Sequence, residues 1–208
     1  MQLHLPSYRK HSLGRLLEIA KACESGGLDQ IWVSDNLECR DTFVILAALA
    51  ASVPLKLGTA IMGQYFRSPV RAANSLIPLS ELMGDRELTV GIGTGNPLTS
   101  RLISMPRPVG FMRQYVTCLT RLLAGEAVDM GEFPLLADYF RFESGSPLEA
   151  PSVEPRQIRV YGGGNGPRGL ALAGELMDGI LFGWTTMHNV TMGRLAGKLA
   201  IANEAADR

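Results

Sequence analysis

Short apolar runs alternate with amphipathic stretches along the chain. Residues 2–6, 30–34, 55–62, 87–93, 157–161 and 179–184 read as strands. The run 55–62 is almost wholly apolar, as expected of a strand covered on both faces. Helical patterns fill the intervals. Leu16, Leu17, Ile19, Ala20 and Cys23 make one apolar face, with Ser12 placed to cap the helix and Gly26 and Gly27 to stop it. Asp41 is placed to cap a helix over 42–52, which Pro54 closes. Ser68 and Pro69 supply a cap and a first-position proline for a helix running to Met83, and Pro78 inside it predicts a kink or an early end. Further helices are predicted over 109–124, 167–177 and 189–206.

This rhythm predicts an α/β fold with a parallel sheet. Six βα units fit either a doubly wound open sheet or a TIM-like (β/α)8 barrel lacking its last two units, since a full barrel takes about 250 residues. Residues 126–157 break the rhythm. Pro134, Pro147, Pro151 and Pro155 punctuate them, and only 138–143 alternates like a strand. A long irregular stretch of this kind predicts an excursion lying over a site. No linker-like shift in composition appears, so residues 1–208 read as one domain.

Twenty basic residues balance twenty acidic ones, which argues against a nucleic-acid or anionic-membrane surface built on bulk positive potential. No apolar run reaches the ~18 residues of a membrane-spanning helix, and residues 1–10 lack a signal-peptide core. Cys23, Cys39 and Cys118 are odd in number and widely spaced, so a disulfide framework is not predicted and a reducing cytoplasm fits. His4, His11 and His188 are equally scattered, and no metal site is predicted. Glycine is in excess: 23 residues, where ~7% of the chain would be ordinary.

Those glycines gather at strand ends, where α/β folds place their sites. After the fifth strand come Gly162, Gly163, Gly164, Asn165, Gly166, Pro167, Arg168 and Gly169, opening a helix. Free N–H groups at a helix start, with Arg168 as a planar fork, suit a phosphate; a tight turn without ligand is the competing reading. Gly164 to Gly169 also spells GxGxxG, but no acidic residue ends the next strand, so a nicotinamide dinucleotide ranks last. After the fourth strand, Gly91, Ile92, Gly93, Thr94, Gly95 and Asn96 either let a flat ligand or phosphate approach the backbone or answer a packing demand. Asp35 and Asn36 end the second strand, where Asp35 can accept a hydrogen bond from a ligand hydroxyl or simply form a turn. No spacing supports a hydrolytic triad or carboxylate pair, which leaves chemistry carried by a cofactor.

Four stretches in order resemble the bacterial luciferase-like family of flavin- and deazaflavin-dependent oxidoreductases. They are Gly27-Leu28-Asp29-Gln30-Ile31-Trp32-Val33-Ser34-Asp35, Leu57-Gly58-Thr59-Ala60 with Arg67-Ser68-Pro69, Leu88-Thr89-Val90-Gly91-Ile92-Gly93-Thr94-Gly95, and Leu172-Ala173-Gly174-Glu175-Leu176-Met177-Asp178-Gly179. Within the family the chain most resembles the methylenetetrahydromethanopterin reductases, which use coenzyme F420. The resemblance implies a TIM-like barrel of which these are the first six strands. It also implies a non-prolyl cis peptide at Ala60–Ile61, in a bulge that backs the flavin ring. Asp35 and Asn36 would then face ring or substrate, Gly93, Thr94, Gly95 and Asn96 would line the cofactor's tail, and residues 163–167 would hold its phosphate. Asn36 stands where the family usually has histidine.

The implied activity is hydride transfer between coenzyme F420, or reduced FMN, and a small organic substrate. The alternatives are an FMN-dependent monooxygenase of the same family and a non-catalytic, vestigial flavin-binding domain. A barrel cut after six units leaves the first and sixth strands with bare edges, so either dimerisation across that gap or a fragment of little stability alone is expected.

Overall fold

Six parallel strands hydrogen-bond into one sheet in the order β1 (Gln2–Leu5), β2 (Gln30–Val33), β3 (Lys56–Gly63), β4 (Leu88–Gly93), β7 (Ile158–Gly163) and β8 (Gly179–Leu181). This is a computed structural model, and it describes residues 1–5, 11–95, 102–143, 145, 147–150, 158–164, 166–183 and 187–208. The sheet is a curled half-barrel in which each strand follows its predecessor through a helix, as the alternating pattern predicts, with further elements inserted between the fourth and fifth. The helices are α1 (Leu13–Ser25), α2 (Thr42–Ala50), α3 (Pro69–Met83), α4 (Pro108–Leu123), α5 (Pro134–Phe140), α6 (Pro167–Leu176), α7 (Met187–Thr191) and α8 (Arg194–Ala206). No helix among the described residues is long and apolar enough to cross a membrane.

Local chemistry sets the helix starts. Ser12 Oγ accepts from Arg15 N, Asp41 Oδ1 from Phe43 N and Val44 N, and Ser68 Oγ from Arg71 N. The two faces of the sheet differ in kind. Leu5, Ile31, Val33, Leu57, Leu88, Val90, Ile92 and Val160 lie in the buried core under the helices. On the opposite face large side chains lie over glycines: a Cβ at Gly58 would sit 2.7 Å from the Trp32 ring, and one at Gly179 would sit 2.9 Å from the Tyr161 ring.

Several boundaries depart from the sequence reading. Helix α3 runs unbroken through Pro78 to Met83, because one missing N–H donor is outweighed by burial of Leu76, Ile77, Leu79 and Met83. Residues 138–143 are not a strand. Their first part completes α5, whose Tyr139 and Phe140 pack edge-on to each other at 5.0 Å between ring centroids, with Tyr139 also 5.2 Å from Phe111. Aromatic packing fixed this segment where alternation did not. Beside it β5 (Val128–Asp129) and β6 (Pro147–Leu148) form a small antiparallel pair. The fifth barrel strand extends to Gly163, because Gly162 and Gly163 pair with Ile180 and Leu181 of β8. The last predicted helix is two helices, broken at Gly193 with φ +67°.

Candidate functional site

At its carboxyl end β3 carries a bulge. Thr59 pairs with Val90 and Met62 with Ile92, so Ala60 and Ile61 together oppose Gly91 alone. The peptide bond joining Ala60 and Ile61 is cis. Both carbonyls of the pair are held by the end of β2: Ser34 Oγ donates to Ala60 O at 3.1 Å, and Asp35 N donates to Ile61 O at 3.2 Å. On the other side Gln64 N donates to Gly93 O at 3.0 Å.

The bulge turns the Ile61 side chain into a trough floored by glycine. A Cβ on Gly93 would lie 2.2 Å from Ile61 Cδ1, and one on Gly163 would lie 2.5 Å from Ile61 Cγ2. Gly91 is closed off by Leu181 Cδ1 and Thr59 O, at 2.3 and 2.4 Å from its would-be Cβ. Of the two readings of this glycine cluster, packing against Ile61 and Leu181 is the demand the structure makes at 91, 93 and 163. Gly95 is different: its φ of +93° favours glycine on backbone grounds.

The turn into α6 is open. A Cβ built on Gly164, Gly166 or Gly169 meets no described atom within 4 Å. Gly166 is the extended N-cap of α6, with no side-chain cap, and Pro167 follows at the first helical position. Pro167 has no N–H, so the first backbone donors at this end belong to Arg168 and Gly169. Arg168 is exposed beside them. Asn96 and Asn165 lie outside the described residues.

Asp35 is only 8% exposed, and its Oδ2 finds no hydrogen-bond partner among the described residues. Burial raises its pKa above the ordinary carboxylate value, against the pull of the Arg67 guanidinium and the Thr42 hydroxyl. Arg67 forms an ion pair with Asp41 and stacks over the Phe43 ring, 4.6 Å from its centroid. Asn36, half-buried, accepts from Cys39 N through its carbonyl.

Asp35, Ala60, Ile61, Gly93 and Gly163 therefore meet around one bulge, and the open turn from Gly164 to Arg168 continues from it. The residue that sequence reasoning passed over is His4. Set aside there as a scattered histidine, it places Nε2 2.6 Å from Ser34 Oγ. The one signal for it was strand alternation, which puts positions 2 and 4 on the same face as Trp32 and Ser34.

Residues 2–207 match the family described as luciferase-like monooxygenase. The chain is 31% identical over 170 residues to a 5,10-methylenetetrahydromethanopterin reductase of Methanolobus tindarius, covering 80% of this chain and 49% of that protein. It superposes on the coenzyme F420 dependent tetrahydromethanopterin reductase from Methanopyrus kandleri with a TM-score of 0.80 at 19% identity, covering 100% of this chain and 62% of the other. It also superposes on the oxygenating constituent of 3,6-diketocamphane monooxygenase of Pseudomonas putida, a type II Baeyer–Villiger monooxygenase in complex with FMN, with a TM-score of 0.70 at 16% identity, covering 99% of this chain and 63% of the other. The chain thus spans about half the length of the curated relatives it matches. Matched from its second residue almost to its last, it belongs to the luciferase-like monooxygenase family.

Proposed function

We propose that this chain binds coenzyme F420 or FMN at the carboxyl end of the sheet and directs hydride transfer between that cofactor and a small organic substrate, in the manner its methylenetetrahydromethanopterin reductase relatives are named for. One observation carries the reading. The bulge at Ala60 and Ile61 is fastened through both carbonyls to the end of β2, and it stands beside a glycine turn whose positions 164, 166 and 169 no described atom fills.

The residues fit such a group. An anionic tail entering the turn meets the N–H groups of Arg168 and Gly169 and the positive end of the α6 dipole, with the Arg168 guanidinium at hand. A planar ring laid against β3 is backed by Ala60 and Ile61, both partly exposed. Asp35 offers a desolvated carboxylate to ring or substrate, and the amide of Asn36 adds a polar group that does not titrate. When bound, the cofactor supplies the hydride chemistry; the protein orients it and excludes water. The excursion is placed to help with the second task, since Tyr139 of α5 packs on Tyr65, two residues beyond β3, at 5.3 Å between ring centroids.

Titration of the purified chain with F420 and with FMN, followed by absorbance, tests the reading. Saturable binding of one of them, abolished in Gly164→Asp, is the expected result. No binding of either at high micromolar concentration would end the proposal.

A further inference from the structure

The edge strand β1 reaches the bulge through side chains. Its residues pair in register with β2, Gln2 opposite Gln30 and His4 opposite Trp32. On the face that carries the site, Trp32 Nε1 donates to Gln2 Oε1 at 2.8 Å, and His4 Nε2 lies 2.6 Å from Ser34 Oγ. The hydroxyl of Ser34 donates onward to Ala60 O at 3.1 Å, while Thr42 Oγ1 donates to Ser34 O at 2.8 Å.

Proton counting orders this chain. A serine hydroxyl has one hydrogen, and that of Ser34 is directed at Ala60 O. With that hydrogen used, the short contact with His4 is a hydrogen bond only where Nε2–H donates and Ser34 Oγ accepts. We propose that His4 is a positioning residue for the bulge: its Nε2–H donates to Ser34, which turns the Ser34 hydroxyl onto the Ala60 carbonyl and fixes the surface against which the cofactor ring lies. The proposal rests on the cofactor reading above, and goes beyond it by assigning a role to an imidazole on β1, away from the loop that carries Asn36. A mere staple between β1 and β2 would need no particular tautomer and no hydroxyl aimed at Ala60.

Two measurements separate these cases. Long-range proton–nitrogen correlation spectra of the nitrogen-labelled, cofactor-free chain read the tautomer of His4 at a pH where its ring is neutral. The expected result is Nε2–H in the wild type, with an Nε2 shift displaced from that of a free neutral histidine, and loss of that displacement in Ser34→Ala. Binding of F420 and FMN is then titrated with the wild type, His4→Ala, His4→Gln and Ser34→Ala. Removing either partner is expected to weaken binding by about 3- to 10-fold, the range for one lost hydrogen bond, while His4→Gln, which keeps a donor, restores most of it. Melting temperatures distinguish lost affinity from lost folding. An Nδ1–H tautomer in the wild type, or equal affinity across all four proteins, would overturn the assignment. If the wild type binds neither cofactor, the cofactor reading falls and with it the purpose assigned to His4, while the tautomer still reports whether the His4–Ser34 bond exists as drawn.

Discussion

Ile61 occupies the space that a side chain on Gly93 would need, with Cδ1 2.2 Å from the position of a Cβ there. That contact joins the bulged strand to its neighbour at the centre of the proposed site. Gly93→Ala is expected to cost about 1–3 kcal/mol in chemical denaturation, because Ile61 must rotate and the Gly163 carbonyl, 2.9 Å from the same Cβ, has little room to give. Ile61→Ala in the same chain should recover part of that loss and leave the backbone share. Strict additivity of the two substitutions would refute the contact.

A graded pair of glycine substitutions tests the distinction between packing and ligand access. A Cβ on Gly174 would lie 2.0 Å from Ala202 O, so Gly174→Ala must push α8 away from α6. Its expected cost is about 3 kcal/mol, the upper part of the overpacking range. Gly164→Ala meets no described atom within 4 Å and has no φ in the left-handed region, so stability should change by less than about 1 kcal/mol while cofactor affinity falls. Parallel melts and titrations of the two variants check both statements.

The helix starts were legible in the sequence because their chemistry is local: Ser12, Asp41 and Ser68 each bond a backbone N–H two or three residues on. The parallel strands were legible from their apolar runs. The bulge was not. Its cause lies in contacts between strands, from Ser34 to Ala60 across 26 residues and from His4 to Ser34 across 30, and composition near residue 60 carries no trace of either. Family resemblance supplied Ala60 and Ile61 where periodicity gave only an apolar strand over 55–62. Glycine density at the strand ends has a mixed cause: Gly93 and Gly163 make room for Ile61, whereas no described atom approaches a Cβ at Gly164 or Gly166 within 4 Å.

Asp35 and Asp41 flank Arg67 and respond to pH in opposite senses. Burial raises the Asp35 pKa, so the folded chain holds that proton more tightly than the unfolded one. Stability from this group is therefore full in acid and declines as pH rises from about 4 through the folded-state pKa. At Asp41 burial pushes upward, but the Arg67 ion pair and the N–H groups of Val44 and Phe43 outweigh it. Its stabilisation is present above the ordinary carboxylate value and fades as pH falls through the lowered one. Asp35→Asn should gain on the order of 1 kcal/mol at neutral pH and nothing in acid, and Asp41→Asn should lose stability at neutral pH. Urea titrations at several pH values measure both, and a neutral-pH loss in Asp35→Asn would contradict the burial argument.

Thiol reactivity should follow burial. Cys118 is enclosed under α4 and its thiol is pushed up to about 12 by burial, against a weaker opposing pull from Arg121. Cys23 is also buried and raised, whereas Cys39 is partly exposed. Rapid labelling of one thiol by a disulfide reagent in the native chain is expected, mapping to Cys39, with all three labelled in denaturant. Fast native modification of Cys118 would mean that α4 opens readily.

The sheet's two ends set the last expectation. Strand β1 pairs only with β2 and β8 only with β7 among the described residues, so each presents a row of backbone N–H and C=O groups on its outer side. Strand β8 reads Gly179, Ile180 and Leu181 and carries no charge to deter a partner strand. The segment that follows it in the chain adds exposed apolar surface, with Val190 44%, Met192 60% and Leu199 42% exposed. A parallel edge that no described strand pairs, together with exposed apolar side chains, favours association, so this chain should sediment as concentration-dependent dimers or larger species. Met192→Lys with Leu199→Lys should shift that equilibrium toward monomer by removing exposed apolar surface while leaving the strands intact. A monodisperse monomer that melts cooperatively at high concentration would show that the edges are not sticky and that the half-barrel is self-sufficient.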